Sequence, residues 1–544
     1  MRTRPPSITL LVALAACGSD RHERGEVSGD TATDGTAGDT AQDATPAETT
    51  PMDSVAPADT TPPDTTPPDT TPPDTTPADT AEPLPNISVA LDCGDAPPSG
   101  AGNANELQRY QIDTGIFPDA LCNNGDAAVF YYRPHVGEDN RNRWLINLNG
   151  GGACGGGDSC AARWCWCRSL EGPDGCPFAK ETTNFSMANM NGDTRATISG
   201  DGIFLRGDAD RPNPLGAYNQ VRIVYCSSDT WAGTRRDAPF DSVHPKTGEP
   251  VAFSIHFLGR RILDAALATL RRDGVPALRY TLSNARDLPD LDDAVELVLS
   301  GDSAGGAGVI GNLDRVAALL REHNTGCTGA TCPLVVQGLI DAAVGPELAR
   351  LDFSTSVWAE LGGDTYGAYM SYADAASQQN LGTIRDESCR EWHRANAPET
   401  GYQCGDGSHI LRHHLTTPFF VRMALLDQLI SDNYISSGYS DPDLGPLTLQ
   451  SFAVILQREL AAFPELPETA EEGDAMTRAP GVFAPACTKH DTIHDNQEVY
   501  RASITPEGGE PLTLFQVFEN WRNGVDPRAV LTRMLDRSDT FCPP

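Results

Sequence analysis

No stretch of this 544-residue chain reaches the roughly 18 consecutive apolar residues that a membrane-spanning helix needs. Positive charge is also scarce: 40 Lys and Arg stand against 75 Asp and Glu, for a formal net charge of -35. With no basic cluster, a nucleic-acid partner and electrostatic docking on an anionic membrane face are both excluded. The paired CxxC spacing of a zinc module is missing as well. Residues 18–85 contain almost no large apolar side chains, so that segment has nothing to bury and cannot repay the entropy of ordering.

What is present begins with MRTRPPSITLLVALAAC, residues 1–17, where Arg2 and Arg4 precede a short apolar run from Ile8 to Ala16. This pattern predicts an export signal. Its end, Leu14-Ala15-Ala16-Cys17, resembles the lipobox of bacterial lipoproteins, which implies that Cys17 is the lipidated first residue of the mature chain; a plain secretory signal is the alternative. Gly18 stands where an aspartate would favour the inner membrane, so the outer membrane or cell surface is expected. Residues 18–85 end in the repeat DTTPPDTTPPDTTPPDTTPADT and read as an extended, semi-rigid tether with 15 acidic residues against two arginines. Removing the tether's -13 and the signal's +2 from the total of -35 leaves -24 for residues 86–544. That remainder is expected to fold as one large domain, monomeric and tied to a membrane only through the lipid anchor.

The chain has 15 cysteines, and setting Cys17 aside leaves 14, an even number that in an exported protein predicts up to seven disulfides. Cys154, Cys160, Cys165, Cys167 and Cys176 lie close enough in sequence to suggest zinc, but export and the even count favour disulfides, and no metal site is expected. Cys327 with Cys332 and Cys389 with Cys404 are the expected local pairs.

Apolar runs with little polar alternation occur at 143–149, 221–226, 295–301 and 334–343, as in strands covered on both faces of a parallel sheet. Between them the pattern predicts amphipathic helix, including one over Phe253–Gly274 closed by its glycine. Alternating strands and helices imply an α/β, doubly wound, mostly parallel sheet.

VELVLSGDSAGGAGVIGNLDRVAALL, residues 295–320, places Ser303 in G-x-S-x-G between a predicted strand and a predicted helix. That is the setting of a nucleophile elbow, in which a tight bend exposes the hydroxyl. An activated serine needs a base, and hydrolases of this fold order their triad Ser, acid, His. Seven histidines follow Ser303; position favours the late pair His490 and His494 and leaves the acid open. Asn149-Gly150-Gly151-Gly152-Ala153-Cys154 follows a predicted strand, where a glycine loop can aim bare N–H groups at an oxyanion.

Four segments in order, GGGAC at 150–154, YCSSDTWAG at 225–233, SGDSAGGAGVIGNLDRVA at 300–317 and FAPACTKH at 483–490, resemble the motifs of the pectin acetylesterase family. The resemblance implies an α/β-hydrolase-like carboxylesterase with a catalytic triad of Ser303, Asp427 and His490. The oxyanion donors it implies are the N–H groups of Gly151, Gly152 and Ala304. Ser303 Oγ should then lie in hydrogen-bond reach of His490, and His494 should be dispensable. Trp231 matches a family tryptophan and is expected in the substrate pocket. One departure stands out: the family carries an aromatic residue beside the cysteine of the glycine loop, and this chain has only Ala153 there. The expected reaction removes a short acyl group, acetyl first, from a carbohydrate or similar ester substrate, and requires no cofactor. The alternatives are a Notum-like deacylase of long acyl chains and an inactive binding module on the stalk.

Overall fold

The computed structural model describes residues 83–93, 106–166, 190–271, 289–328, 331–466, 478–534 and 537–543. The export signal with Cys17, nearly all of the tether, and Cys167 and Cys176 lie outside these residues.

A ten-stranded sheet forms the centre. Its strands, with a separate hairpin numbered in sequence, are β1 (Leu107–Gln111), β2 (Val129–Arg133), β3 (Arg143–Leu148), β4 (Thr197–Ile198), β5 (Asn219–Ile223), the hairpin β6 (Arg235–Val243) and β7 (Pro250–Phe257), β8 (Glu296–Asp302), β9 (Val335–Asp341), β10 (Phe419–Arg422), β11 (Gly481–Ala484) and β12 (Ala529–Leu531). The sheet order is β12-β11-β10-β9-β8-β3-β5-β2-β1-β4. Pairing is parallel from β12 through β5 and antiparallel among β5, β2, β1 and β4. The mostly parallel α/β architecture read from the sequence is therefore present, with an antiparallel edge.

Alternate residues of β8 feed different cores. Leu297 and Leu299 pack with Val309, Leu313, Val316 and Leu320 of helix Ala304–His323, while Val298 packs on the other face with Phe420, Phe518 and Trp521. Burial on both faces explains why the strand reads as a continuous apolar run. All four strand segments predicted from such runs are strands.

The predicted helix over Phe253–Gly274 is corrected at its start. Phe253–Phe257 belongs to β7, paired antiparallel with β6, and the helix occupies only Gly259–Leu270. Phe253, Ile255 and Phe257 are fully buried in one cluster, a period of two that marks a strand. Gly274 lies outside the described residues.

Six disulfides close loops among the described residues: Cys93–Cys165, Cys122–Cys226, Cys154–Cys160, Cys327–Cys332, Cys389–Cys404 and Cys487–Cys542. Both expected local pairs are formed, and three cysteines of the apparent zinc cluster are oxidised.

Candidate active site

Every expected site segment leaves the sheet at the carboxyl end of a parallel strand: the glycine loop after β3, Ser303 after β8, Asp427 after β10 and His490 after β11. Such ends converge on one edge of the sheet, which makes that edge the binding crevice of open α/β folds.

Ser303 sits on the bend between β8 and helix Ala304–His323 with φ 52° and ψ -119°, a strained conformation for a residue with a Cβ. Crowding forces it. A Cβ on Gly301 would lie 2.2 Å from the Gly305 carbonyl oxygen, and one on Gly305 would lie 1.8 Å from the Leu148 carbonyl oxygen. The Ser303 N–H donates to the Asp341 carbonyl at 2.9 Å, pinning the elbow to β9.

The glycine loop packs directly on this elbow, since a Cβ on Gly150 would approach Ser303 Cβ to 3.1 Å. It is clamped at Asn149, Gly150, Gly151 and Cys154. Arg222 Nε donates to Asn149 Oδ1 at 2.6 Å, Trp231 Nε1 to the Asn149 carbonyl at 3.1 Å, and the Gly150 N–H to Asp302 Oδ2 at 3.0 Å. Arg163 donates to the Gly151 carbonyl, and the Cys154 N–H donates to the Ser228 carbonyl at 3.0 Å. Gly151 and Gly152 adopt φ 144° and 67°, which turn their N–H groups away from a regular strand. The N–H groups of Gly151, Gly152 and Ala304 have no acceptor among the described residues.

Trp231, expected at a pocket wall, is 0% exposed. Its indole lies under helix Ala304–His323, where only Gly308 leaves room, and its N–H holds the glycine loop from behind. The structure thus puts it in the loop's support, with no face of the indole open to a substrate. Trp164 is likewise buried, its N–H on the Leu91 carbonyl.

Asp427 is fully buried and caps helix Gln428–Ser436 through Oδ1, which accepts from the Ile430 N–H at 3.1 Å. Its other oxygen accepts from His490 Nδ1 at 2.7 Å, which orients the ring and directs Nε2 away from the carboxylate. The expected hydrogen bond from Ser303 is not made: neither Ser303 Oγ nor His490 Nε2 has a hydrogen-bond partner among the described residues. Nε2 lies instead 3.0 Å from Asp491 Oδ1. Asp491 has φ 51°, and this left-handed turn brings its carboxylate to the ring. Catalytic hydrogen bonds are often loose without substrate.

Asp491 and Asp341 escaped the sequence reading. Asp341, at the end of β9, accepts from the Thr492 and Ile493 N–H groups at 2.7 and 3.0 Å and from Arg422 Nη1 at 3.1 Å, so it holds the His490 loop. The one signal was an acid closing an apolar run, which cannot be told from an ordinary strand end. Burial works against an imidazolium at His490, but the carboxylates of Asp491, Asp427 and Asp341 outweigh it and push the pKa up to about 10. Burial, against the pull of His490 and with the help of Asp302, Asp341 and Asp427, pushes Asp491 above the usual carboxylate range.

A second acid–histidine pair lies beside the first. His494 Nε2 meets Asp302 Oδ1 at 2.9 Å, and the His494 ring stacks on Phe204 with centroids 5.7 Å apart. Burial opposes ionisation of Asp302, yet His494, Arg222 and the Gly150 N–H hold its carboxyl below the usual range. His494 therefore reaches the glycine loop through Asp302, a role that the sequence reading did not give it.

The pattern of the Pectinacetylesterase family matches residues 103–532 of the chain. Among curated relatives, the palmitoleoyl-protein carboxylesterase notum1 of Xenopus laevis is 31% identical over 377 residues, covering 68% of this chain and 60% of its own length. Its counterpart notum1a of Danio rerio is 26% identical over 377 residues, with 69% and 59% covered, and human NOTUM is 25% identical over 400 residues, with 73% and 63% covered. The chain thus spans less than two thirds of the length of these relatives. Among solved structures, the Wnt deacylase Notum from Drosophila superposes with a TM-score of 0.50 at 23% identity, covering 80% of this chain and 97% of that chain. This is a likeness of fold.

Proposed function

Because the chain belongs to the pectinacetylesterase family, we propose that it is a carboxylic ester hydrolase in which Ser303 is the nucleophile, His490 the base and Asp427 the group that fixes the imidazole. The observation that carries this reading is the His490–Asp427 hydrogen bond of 2.7 Å, set at the same edge of the sheet as a serine on a strained elbow. In the reaction Ser303 Oγ attacks the ester carbonyl as His490 Nε2 takes its proton. The N–H groups of Gly151, Gly152 and Ala304 receive the oxyanion. The alcohol leaves with the proton from His490, and water, activated by the same imidazole, releases the acid.

The substrate we infer is a short acyl ester, acetyl first, on a carbohydrate or similarly hydroxylated compound. A cavity one helical turn beyond Ser303 is lined by Ala307, Ile310, Ala343, Arg385, Ile430 and Asn433, among others. Arg385 Nε and Asn433 Nδ2 are buried without a hydrogen-bond partner among the described residues, which suits hydroxyl or carbonyl oxygens better than methylene groups. The apolar part of the same lining favours a second reading, a long-acyl deacylase. A chain-length series of nitrophenyl esters, together with acetate release from acetylated polysaccharides, separates the two. Turnover should be greatest at two to four carbons; a maximum beyond about ten carbons with no acetate release would overturn the short-acyl assignment.

Export to the cell surface through a lipid on Cys17 completes the proposal. Six disulfides among the described residues support an oxidising compartment. Cys17→Ser should leave the precursor unprocessed or yield soluble protein with esterase activity retained. Normal processing and unchanged membrane fractionation of that variant would rule the anchor out.

A further inference from the structure

Three histidines meet at a point that the ester-hydrolysis reading does not use. His393 lies on helix Glu387–Asn396, His409 on helix Gly407–His413, and His414 caps the latter. All three are buried. His409 Nε2 is 3.1 Å from His393 Nε2 and also 3.1 Å from His414 Nε2. The ring centroids form a near-equilateral triangle of 5.4, 5.4 and 5.0 Å.

Hydrogen bonding among the rings accounts poorly for this arrangement. The Thr400 hydroxyl donates to the Ala397 carbonyl at 2.9 Å, so its oxygen accepts the 3.0 Å contact from His393 Nδ1. His393 is thereby fixed as the Nδ1–H tautomer, and its Nε2 presents a bare lone pair to the cluster. A single His409 Nε2 then faces two imidazole nitrogens at equal distance, whereas one nitrogen carries either one hydrogen or one lone pair. A cation at the centre would satisfy all three lone pairs. Bonds of 2.0–2.1 Å at tetrahedral angles put imidazole nitrogens about 3.3 Å apart, close to the spacing seen here. Thr400 is also the kind of outer partner that orients a ligating imidazole.

We propose that His393, His409 and His414 bind one divalent transition-metal ion, zinc in first place, through their Nε2 atoms. Cys389 lies within 4.8 Å of the same atoms, but it is oxidised to Cys404 and offers no thiolate, so the fourth position is open to a water. The ion would join helix Glu387–Asn396 to helix Gly407–His413, while the disulfide ties the first of these to the turn Pro398–Gly405 between them. Helix Gly407–His413 gives Gly407, Ser408 and Ile410 to the lining of the cavity near Ser303, so the metal braces a cavity wall and takes no part in ester cleavage.

The test uses the purified full chain with disulfides intact, prepared without a metal-affinity step. Elemental analysis should find about one zinc per chain, and chelation should lower Tm by several degrees, restored by added zinc. His409→Gln should lose the metal and the zinc-dependent rise in Tm, while His413→Gln keeps both. Cobalt added to chelated wild-type protein should show the intense visible bands of a tetrahedral nitrogen site, a readout that does not depend on the variant folding. The proposal is overturned if the wild type holds less than about a tenth of an equivalent and gains no Tm from added zinc. It is overturned equally if His409→Gln binds zinc as the wild type does, or if zinc binds only after the Cys389–Cys404 disulfide is reduced.

Discussion

Ser303→Ala and His490→Ala should each lower kcat by on the order of 10⁴ or more, and the double variant should be hardly worse than either, because nucleophile and base act as one unit. Asp427→Asn should cost less, though still several decades, since its carboxylate orients the ring through the 2.7 Å bond to Nδ1. The pH profile is a second readout. A base must be neutral to accept a proton, and the surrounding carboxylates raise His490. The acid limb of kcat/KM should therefore lie above the ordinary imidazole value of about 6.5. Asp491→Asn removes the carboxylate 3.0 Å from Nε2 and should move that limb to lower pH, with Ser303-dependent turnover retained. Full activity in Ser303→Ala, or a limb that Asp491→Asn leaves in place, would contradict these roles.

His494→Ala should destabilise the fold by about 3 kcal/mol, because it strips the 2.9 Å partner from a fully buried Asp302 carboxylate. The sequence reading expected His494 to be dispensable, but the structure ties it through Asp302 to the Gly150 N–H. Loss of that anchor should also lower kcat by about 10- to 100-fold with little change in KM, as expected for donors that matter in the transition state. His494→Gln retains a donor and should recover much of both losses. Urea unfolding read beside kcat checks the two effects separately. A His494→Ala enzyme with wild-type stability and turnover would show that the Asp302–His494 pair carries no weight.

The boundary between legible and illegible runs through particular residues. The elbow was readable because its constraint is local: Gly301 and Gly305 permit a bend within five residues. The Cys327–Cys332 and Cys389–Cys404 disulfides were readable for the same reason. Phe253–Phe257 was misread because a short apolar run fits helix and strand alike, and only its pairing with β6 decides. Trp231 is expected in the pocket because it matches a family tryptophan, and such a match does not distinguish a side chain that contacts substrate from one that supports a loop.

By itself the sequence determined what short-range chemistry determines: an acidic, cysteine-rich chain, strands buried on both faces, a serine on a tight turn and a glycine loop after a strand. Family resemblance added Asp427 and chose His490 from the late pair, since no spacing rule could match that acid to its histidine across 63 residues. Tertiary structure alone decided that Asp491 stands at Nε2, that Asp341 holds the histidine loop, that Asp302 and His494 anchor Gly150, and that His393, His409 and His414 share one point. Asp491 reaches the ring through its own left-handed turn; the others are contacts between segments brought together by the parallel order of the sheet or by helix packing. Sequence patterns record which face of an element is buried; they do not record which buried polar groups face one another, because that depends on where the other elements come to lie.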